Sequence, residues 1–380
     1  MKIGLIGFGT VGRGVYEILK TINDIEVRKI VTNHPQKITD VNKELLSNDI
    51  NLVVNDDEID VVIEATGAVD IIDFVIDAIK KKKSFVTSNK ELVSKYYNLL
   101  TTTANKNDVY FLCEASVAGA IPIIKNLRDI ERISNIKRID GIINGTTNFI
   151  LTSMLSDNLT FEESLKLAQK KGFAELNPES DIKGFDMLRK IRILSLIGYG
   201  CDVAEDDIIV KGIENIKKED LDLLKSKNFF VKLIAESFME NEKAYISIFP
   251  TVLTQNDLLA SINYSENAVL IDTNYTSKLV FIGQGAGRFP TANAIVNDVL
   301  DIKNKNSYKK YKATKNYKNS AYELKNHYYV RGKIDSSLIE MQLKDDVYIT
   351  KELNYEEVKD IKDSIKISKE AYNEIRINKK

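Results

Sequence analysis

Histidine and cysteine are nearly absent from this chain, with two of each in 380 residues. Zinc sites draw on clusters of those two residue types. His34, His327, Cys113 and Cys201 cannot assemble one of the usual composition unless carboxylates fill in. Histidine acid–base chemistry is confined to whichever of His34 and His327 falls in a cleft. The two cysteines stand far apart in apolar surroundings, which indicates buried thiols in a reducing cytoplasm rather than a disulfide framework. Charge of one sign is lacking too. The 54 Lys and Arg against 55 Asp and Glu leave a net charge of −1, with no footprint for nucleic acid. No run of eighteen apolar residues occurs, so no membrane span is expected. The apolar start MKIGLIGFG is too short for a signal peptide and leads at once into a glycine-rich turn. Internal repeats and long low-complexity tracts are missing. Lys80 to Lys83 reads as a solvated helix end, and Lys303 to Lys318 as a linker or exposed loop. What remains, 43% hydrophobic and 29% charged, is the composition of a soluble globular protein with core enough for two or three domains.

The chain opens with a nucleotide signal. Lys2 to Phe8 reads as a short buried parallel strand and Arg13 to Ile22 as a helix, joined by Gly7-Phe8-Gly9-Thr10-Val11-Gly12. That is the strand–turn–helix context a dinucleotide fingerprint requires. Gly7 permits the turn, Gly9 lets a pyrophosphate approach the backbone, and Gly12 lets helix and strand pack closely. The helix N-terminus then presents partial positive charge to the phosphates. The competing reading is a glycine turn in some other α/β protein. The second strand, Glu26 to Val31, ends at Thr32, Asn33 and His34, with Lys37 beyond. Neither an acid for the ribose of NAD nor an arginine for the 2′-phosphate of NADP stands there, so the cofactor stays open between the two. Further strands, Val61 to Glu64, Phe85 to Thr87 and Val109 to Glu114, and a helix over Ile71 to Lys81 continue the βα pattern. Ligands bind at the C-terminal ends of such strands, where Thr66, Lys90 and Glu114 lie. Lys90 would otherwise be an ordinary surface lysine.

Beyond Arg128 the strands lengthen and alternate: Ile136 to Ile143, Ala244 to Phe249, Leu258 to Ile262, Ala268 to Thr273 and Lys278 to Ile282. This predicts a mostly antiparallel sheet with helices on one side. Between them, Ala168 to Lys190 sets four acids, Glu175, Glu179, Asp181 and Asp186, ahead of a lysine that opens an apolar helix. Asp186 and Lys190, four apart, share a face with Ile193 and Ile197. Alone, such a pair is most often a solvated one of small energetic value. If half-buried, the lysine becomes a candidate for proton transfer. Thr160-Phe161-Glu162-Glu163 is a capping box, and Asn177-Pro178 forces a turn, so the acidic loop is held between two helices. Gly283 to Gly287 is a second glycine-rich turn, either a close approach or a flexible hinge. Thr291 to Asp301 should be a helix that returns to the nucleotide domain.

With these residues in view, the chain resembles homoserine dehydrogenases. The match runs through Ala168, Gly172-Phe173-Ala174, Asn177-Pro178, Asp181-Ile182, Gly184, Asp186 and Lys190. It extends to Gly7–Gly12, Thr87 to Lys90, Glu114 to Gly119, Ile143 to Asn148, Gly285 to Gly287, and Pro290 to Ala292, covering roughly residues 1 to 302. The resemblance implies an α/β protein: a Rossmann nucleotide-binding domain over 1–128 completed by 285–302, an α+β substrate and dimerisation domain over 129–284, and a linker with a small C-terminal extension over 303–380. It implies interconversion of L-homoserine and L-aspartate 4-semialdehyde with NADP or NAD, in threonine and methionine biosynthesis in the cytoplasm. Lys190 is then the proton carrier and Lys90 its partner at cofactor and substrate oxygen. Glu175 and Asp186 hold and orient the substrate ammonium with Asp181 supporting, and Gly145 and Thr146 receive its carboxylate. Phe8, Thr10, Val11, Thr66, Gly172, Glu175 and Gly287 join Gly7, Gly9 and Gly12 at the cofactor. A sodium ion would lie on the backbone oxygens of Glu114, Val117, Gly119 and Ile121. The chemistry suits these residue types: carboxylates for an ammonium, amides for a carboxylate, and a cation with a proton for the alkoxide that hydride transfer creates.

The chain departs from the family at two places. Many bacterial relatives carry an arginine near position 32, where Thr32 stands here. Many also end in a threonine-sensing ACT domain. Tyr328 to Ile334 resembles the first ACT strand, but residues 319 to 380 are too few for a linker plus a full copy. A reduced ACT-like module, or a small structural or dimer-contact extension, is expected. The partner is a small-molecule substrate, and a homodimer or homotetramer is expected through the second sheet. Two competing readings are a non-catalytic nicotinamide-nucleotide sensor on the same scaffold and a sibling amino-acid dehydrogenase, such as one acting on aspartate. The set Lys90, Glu175, Asp186 and Lys190 speaks against both.

Overall fold

A computed structural model describes residues 1–306, 311 and 313–377. The chain forms two compact units. Met1–Arg132, Leu196–Gly200 and Gln284–Lys315 make the first, and Ile133–Ser195, Cys201–Gly283 and Asn316–Lys380 the second.

In the first unit, apolar runs such as Val61–Glu64 and Ser84–Thr87 are buried at every position, as interior strands of a parallel sheet must be. Six parallel strands stand in the order Leu46–Ser47, Glu26–Val31, Lys2–Ile6, Val61–Glu64, Ser84–Thr87, Phe111–Leu112. The chain reverses direction across the sheet at Lys2–Ile6, the switch point where a doubly wound sheet opens its ligand crevice. Ile3, Leu5, Ile30, Ile63, Val86, Ile295 and Val299 share one buried core. The first helix, Thr10–Leu19, starts three residues earlier than the sequence pattern suggests. Its glycines are used for contact rather than as breaks. A Cβ on Gly14 would lie 3.0 Å from Arg288 Cγ and 3.1 Å from Ala292 Cβ, which lets the last helix of the unit, Arg288–Lys303, pack against the first. At Gln284 and Gly285 the second glycine-rich turn makes a close backbone approach. Ala120 N donates to Gln284 O at 3.0 Å, and a Cβ on Gly119 would lie 2.5 Å from Gly285 O.

Two expectations for this unit need correction. Lys80, Lys81 and Lys82 are exposed, but Lys83 is buried. Its ammonium turns inward to the carbonyls of Asp56 and Ile59, and burial pushes it below the usual lysine range. The Lys303–Lys318 stretch falls partly outside the described residues. Within it, Tyr311 is anchored, its hydroxyl donating to Phe111 O at 2.8 Å.

In the second unit the strand order is Lys278–Gln284, Glu266–Thr273, Ile136–Ile142, Phe229–Glu240, Lys243–Thr254, Ser364–Ile367, Tyr328–Arg331, Val347–Thr350, Ile339–Lys344, with Ile209–Val210 pairing beside Lys243–Thr254. Phe229–Glu240 and Lys243–Thr254 form a long antiparallel hairpin of twelve paired positions. Leu258 to Ile262 is not a strand. Asp257 accepts the Leu259 amide at 2.8 Å and caps a 3₁₀ turn over Leu258–Ser261, the local bond that aspartate offers against a ladder. The C-terminal residues add four strands. Taken in their own sequence, these lie in the order fourth, first, third, second, that of a ferredoxin-like module. The first crossover holds only the 3₁₀ turn Ser336–Leu338, and the second helix is the single turn Tyr355–Val358. Ser364–Ile367 pairs in parallel with Lys243–Thr254, so these strands extend the sheet rather than standing apart.

Candidate active site

The nucleotide crevice is built by missing side chains. Gly7 has φ of +98°, and a Cβ there would lie 2.6 Å from Ala65 O; one on Gly12 would lie 2.1 Å from Gly7 O. Gly9 is different. A Cβ on it meets nothing within 4 Å, and as N-cap of Thr10–Leu19 it supplies no side-chain bond. Helix-start amides unpaired by a cap, with open space before them, are what a phosphate needs, so these residues fit a dinucleotide. Gly287, with φ of +130°, is the N-cap of Arg288–Lys303 and likewise offers no side-chain bond. Thr32 donates its amide to Ser47 O at 2.8 Å, which places it at the edge of the crevice.

Sequence reasoning missed Glu64. It is fully buried and accepts the Thr66 amide and hydroxyl, each at 2.6 Å, and the Gly67 amide at 3.2 Å. Its other oxygen accepts the Thr87 hydroxyl. Glu64 thereby fixes Thr66 and ties two strand ends together. An acid closing the run VVIE was the available signal. Thr87 in turn accepts the Asn89 amide at 2.9 Å, and Asn89 caps the next helix by accepting Leu92 N at 3.0 Å. Lys90, half-buried, is therefore set at the first position of Lys90–Asn107, at a crevice-facing strand end.

The second unit holds the acid–lysine constellation. Asn144 ends the lead-in to helix Gly145–Ser156 and caps it, its Oδ1 accepting Thr147 N at 2.8 Å. Its Nδ2 donates to Asp181 Oδ1 at 2.7 Å and to Asp186 Oδ2 at 2.9 Å. Asp186 is also paired with Lys190 Nζ at 2.7 Å; the two side chains are 7% and 12% exposed, respectively. Lys190 donates a further bond to Ile143 O at 2.7 Å. The pair is thus largely buried and fixed, not a solvated one. Burial, and then Asp186 beside it, push Asp181 above the usual carboxylate range. Thr146 donates its hydroxyl to Phe173 O at 2.6 Å, which ties the Gly172–Glu175 loop to the start of the helix. The Asn144 side chain was the second residue missed. Its sequence signal was an N-cap asparagine before Gly-Thr-Thr.

The structure brings Asp181, Asp186, Lys190, Gly145 and Thr146 together through Asn144. Glu175 is not part of this cluster: its side chain is exposed, and its backbone carbonyl accepts Gln169 Nε2 at 3.0 Å. Gly172, φ +77°, turns the same exposed loop. Glu114 lies in the first unit. Its carboxylate is engaged at the start of helix Ile123–Ile130, accepting Ile124 N and Lys125 N at 2.8 Å each. Cys113 and Cys201 are free and buried. Among the described residues no group of three or more His, Cys, Asp or Glu side chains is placed to hold a metal ion, and no helix is long and apolar enough to cross a membrane.

The family model for the NAD-binding domain of homoserine dehydrogenase matches residues 7–114, and that for homoserine dehydrogenase matches 122–300. The homoserine dehydrogenase of Bacillus subtilis (strain 168) is 37% identical over 316 residues, covering 80% of this chain and 72% of its own. That of Synechocystis sp. is 36% identical over 316 residues, 80% and 73%. Among solved structures, a homoserine dehydrogenase from Thiobacillus denitrificans superposes with a TM-score of 0.87 at 27% identity, covering 97% of this chain and 98% of its own. A hyperthermophilic archaeal homoserine dehydrogenase in complex with NADPH gives 0.68 at 26% identity, covering 80% and 98%. A nucleotide crevice with an open helix start, a fixed Asp–Lys pair and these likenesses lead to one conclusion: this chain belongs to the homoserine dehydrogenase family, and is an NAD(P)-dependent oxidoreductase rather than a non-catalytic binder.

Proposed function

We propose that Lys190 carries the proton in the interconversion of L-homoserine and L-aspartate 4-semialdehyde, with Asp186 holding it in place. The nicotinamide, when bound, supplies or accepts the hydride at the substrate's C4. The chain's own work is to place the substrate and manage its proton. Lys190 Nζ has two of its three hydrogens committed, to Asp186 Oδ2 and Ile143 O, so its third is directed. Delivered to the alkoxide it neutralises the charge that reduction creates; in oxidation the amine takes the alcohol proton. Lys90 is the second cation at that oxygen and at the cofactor. Asp181 and Asp186 hold the substrate ammonium, and Glu175, on the loop that Phe173 ties to Thr146, is the further carboxylate assigned to it. The Gly145 and Thr146 amides, which a helix start leaves without partners, receive the carboxylate. Gly7, Phe8, Gly9, Thr10, Val11, Gly12, Thr66, Lys90, Gly172, Glu175 and Gly287 line the cofactor.

The observation that carries this reading is the Asn144–Asp181–Asp186–Lys190 network with Ile143 O. The test is initial-rate kinetics with L-homoserine and each of NAD and NADP. Lys190→Met loses turnover by about a thousandfold with cofactor affinity unchanged; retained turnover would refute the assignment.

The main-chain oxygens of Glu114, Val117, Gly119 and Ile121 are the ones that would hold a sodium ion. Glu114's carboxylate is already engaged, Ala118 and Gly119 both turn the backbone at positive φ (55° and 53°), and carbonyl oxygens suit a hard cation. The C-terminal strands read as an ACT-like module reduced to its sheet. The enzyme works in the cytoplasm as a homodimer or homotetramer.

A further inference from the structure

Lys232 is an ammonium where the packing calls for hydrocarbon. Strand alternation sets it on the face of Phe230 and Ile234, which belong with Ile142, Leu253, Leu259 and Ile262 in one apolar cluster. It is 3% exposed. Its hydrogen-bond partners are neutral oxygens: Asn148 Oδ1 at 3.1 Å, Asn263 Oδ1 at 3.2 Å and the Ile262 carbonyl. Burial alone acts on it, pushing it down to about 8. Among the described residues, no charged side chain from the Gly145–Ser156 helix, the 262–267 turn or the neighbouring strands offsets that burial. A buried cation with no carboxylate is expensive, and an arrangement that tolerates one points to an anion that arrives later.

The oxygens around Lys232 lead to the substrate end of the Gly145–Ser156 helix. Asn148 donates from Nδ2 to Ile262 O at 3.1 Å and to Glu266 O at 3.2 Å. The same turn backs Gly145, where a Cβ would lie 3.0 Å from Ser265 O and 3.6 Å from Asn267 Oδ1. Asn267 is fully buried, and neither polar atom of its side chain has a hydrogen-bond partner, a state native proteins rarely leave unanswered.

We propose that Lys232 is the counter-charge of the substrate carboxylate: its ammonium, held on Asn148 about one helical turn along from Gly145, favours an anion at the Gly145–Thr146 amides, which the unpartnered Asn267 side chain backs. Lys232 is a positioning residue and does not touch substrate. The proposal rests on the reading that the carboxylate binds at those amides.

The test measures KM for L-homoserine, kcat and NADPH affinity against pH for the wild-type enzyme, Lys232→Met and Lys232→Arg, alongside a crystal structure of the wild-type enzyme with NADPH and L-homoserine. The expected result is a KM raised on the order of tenfold by Lys232→Met, with kcat within about threefold and cofactor affinity unchanged, and partial rescue by Lys232→Arg. Wild-type KM should also rise with pH as Lys232 loses its charge near 8, a rise missing from Lys232→Arg, which stays charged. Titration of the substrate ammonium is common to both and cancels in the comparison. A carboxylate seen away from Gly145 overturns both the proposal and the reading beneath it. A carboxylate at Gly145 with identical wild-type and Lys232→Arg pH profiles overturns the proposal alone, and this arm stands even if Lys232→Met fails to fold.

Discussion

Asn144 offers the most discriminating perturbation of the site, because its two side-chain atoms do separate jobs. Oδ1 caps the Gly145–Ser156 helix, and Nδ2 bridges Asp181 and Asp186. Alanine removes both jobs. Serine keeps the cap, since its hydroxyl is an equivalent acceptor, but cannot bridge the carboxylates. A cap contributes about 1 kcal/mol, and each hydrogen bond to a charged group about 1.5–3 kcal/mol. The bonds share one side chain and do not add in full. Asn144→Ala should therefore lose about 3–4 kcal/mol, and Asn144→Ser about 1 kcal/mol less. Both variants should lose kcat/KM to a similar extent, about a hundredfold, because Asp186 is no longer aligned on Lys190. Stability is read by urea melts followed by far-UV circular dichroism, as the chain has no tryptophan. Wild-type activity in Asn144→Ser, or activity that tracks stability across the two variants, would refute the view that the bridge aligns the acid–lysine pair.

Other perturbations separate fold from chemistry. Gly9→Ala meets no protein atom, so its melting temperature should stay within about 2 °C of wild type while NADPH binding weakens at least tenfold in fluorescence titration; unchanged affinity would remove the phosphate from that spot. Gly12→Ala, with its Cβ 2.1 Å from Gly7 O, should instead destabilise the first unit, and a melting temperature equal to wild type would count against the close packing described. Asp181 is an acid raised by burial and by Asp186. Its contribution to stability is fully present below the usual carboxylate range and is lost as pH rises through its raised value. The stability difference between wild type and Asp181→Asn should shift against wild type across that window; a flat difference would mean Asp181 is not held high.

The nucleotide unit was legible because its signals are local. Gly7 to Gly12 lies between one strand and one helix, and buried runs such as VVIE cannot be mistaken for exposed strands. The Asp186–Lys190 pair was legible by spacing, but whether it was solvated was not, because that depended on Ile143 O, forty-seven residues away. The Glu64–Thr87 tie and the Asn144 bridge escaped for the same reason: each joins residues that become neighbours only in the fold. Leu258 to Ile262 misled because alternation outweighed the aspartate before it, and Lys83 because a run of lysines reads as surface until one carbonyl pair draws its last member inward. Glu175 matches the family pattern yet stands outside the cluster on an exposed loop, a difference the motif could not reveal.

The placement of Ser364–Ile367 inside the second sheet, between Lys243–Thr254 and Tyr328–Arg331, bears on how the polypeptide matures. Ser364–Ile367 is synthesised after both strands it joins, so the second sheet stays open at that position until this segment arrives, and its waiting edge is a sticky one. Variants that remove or break Ser364–Ile367 should accordingly lose yield and solubility out of proportion to the few residues they alter.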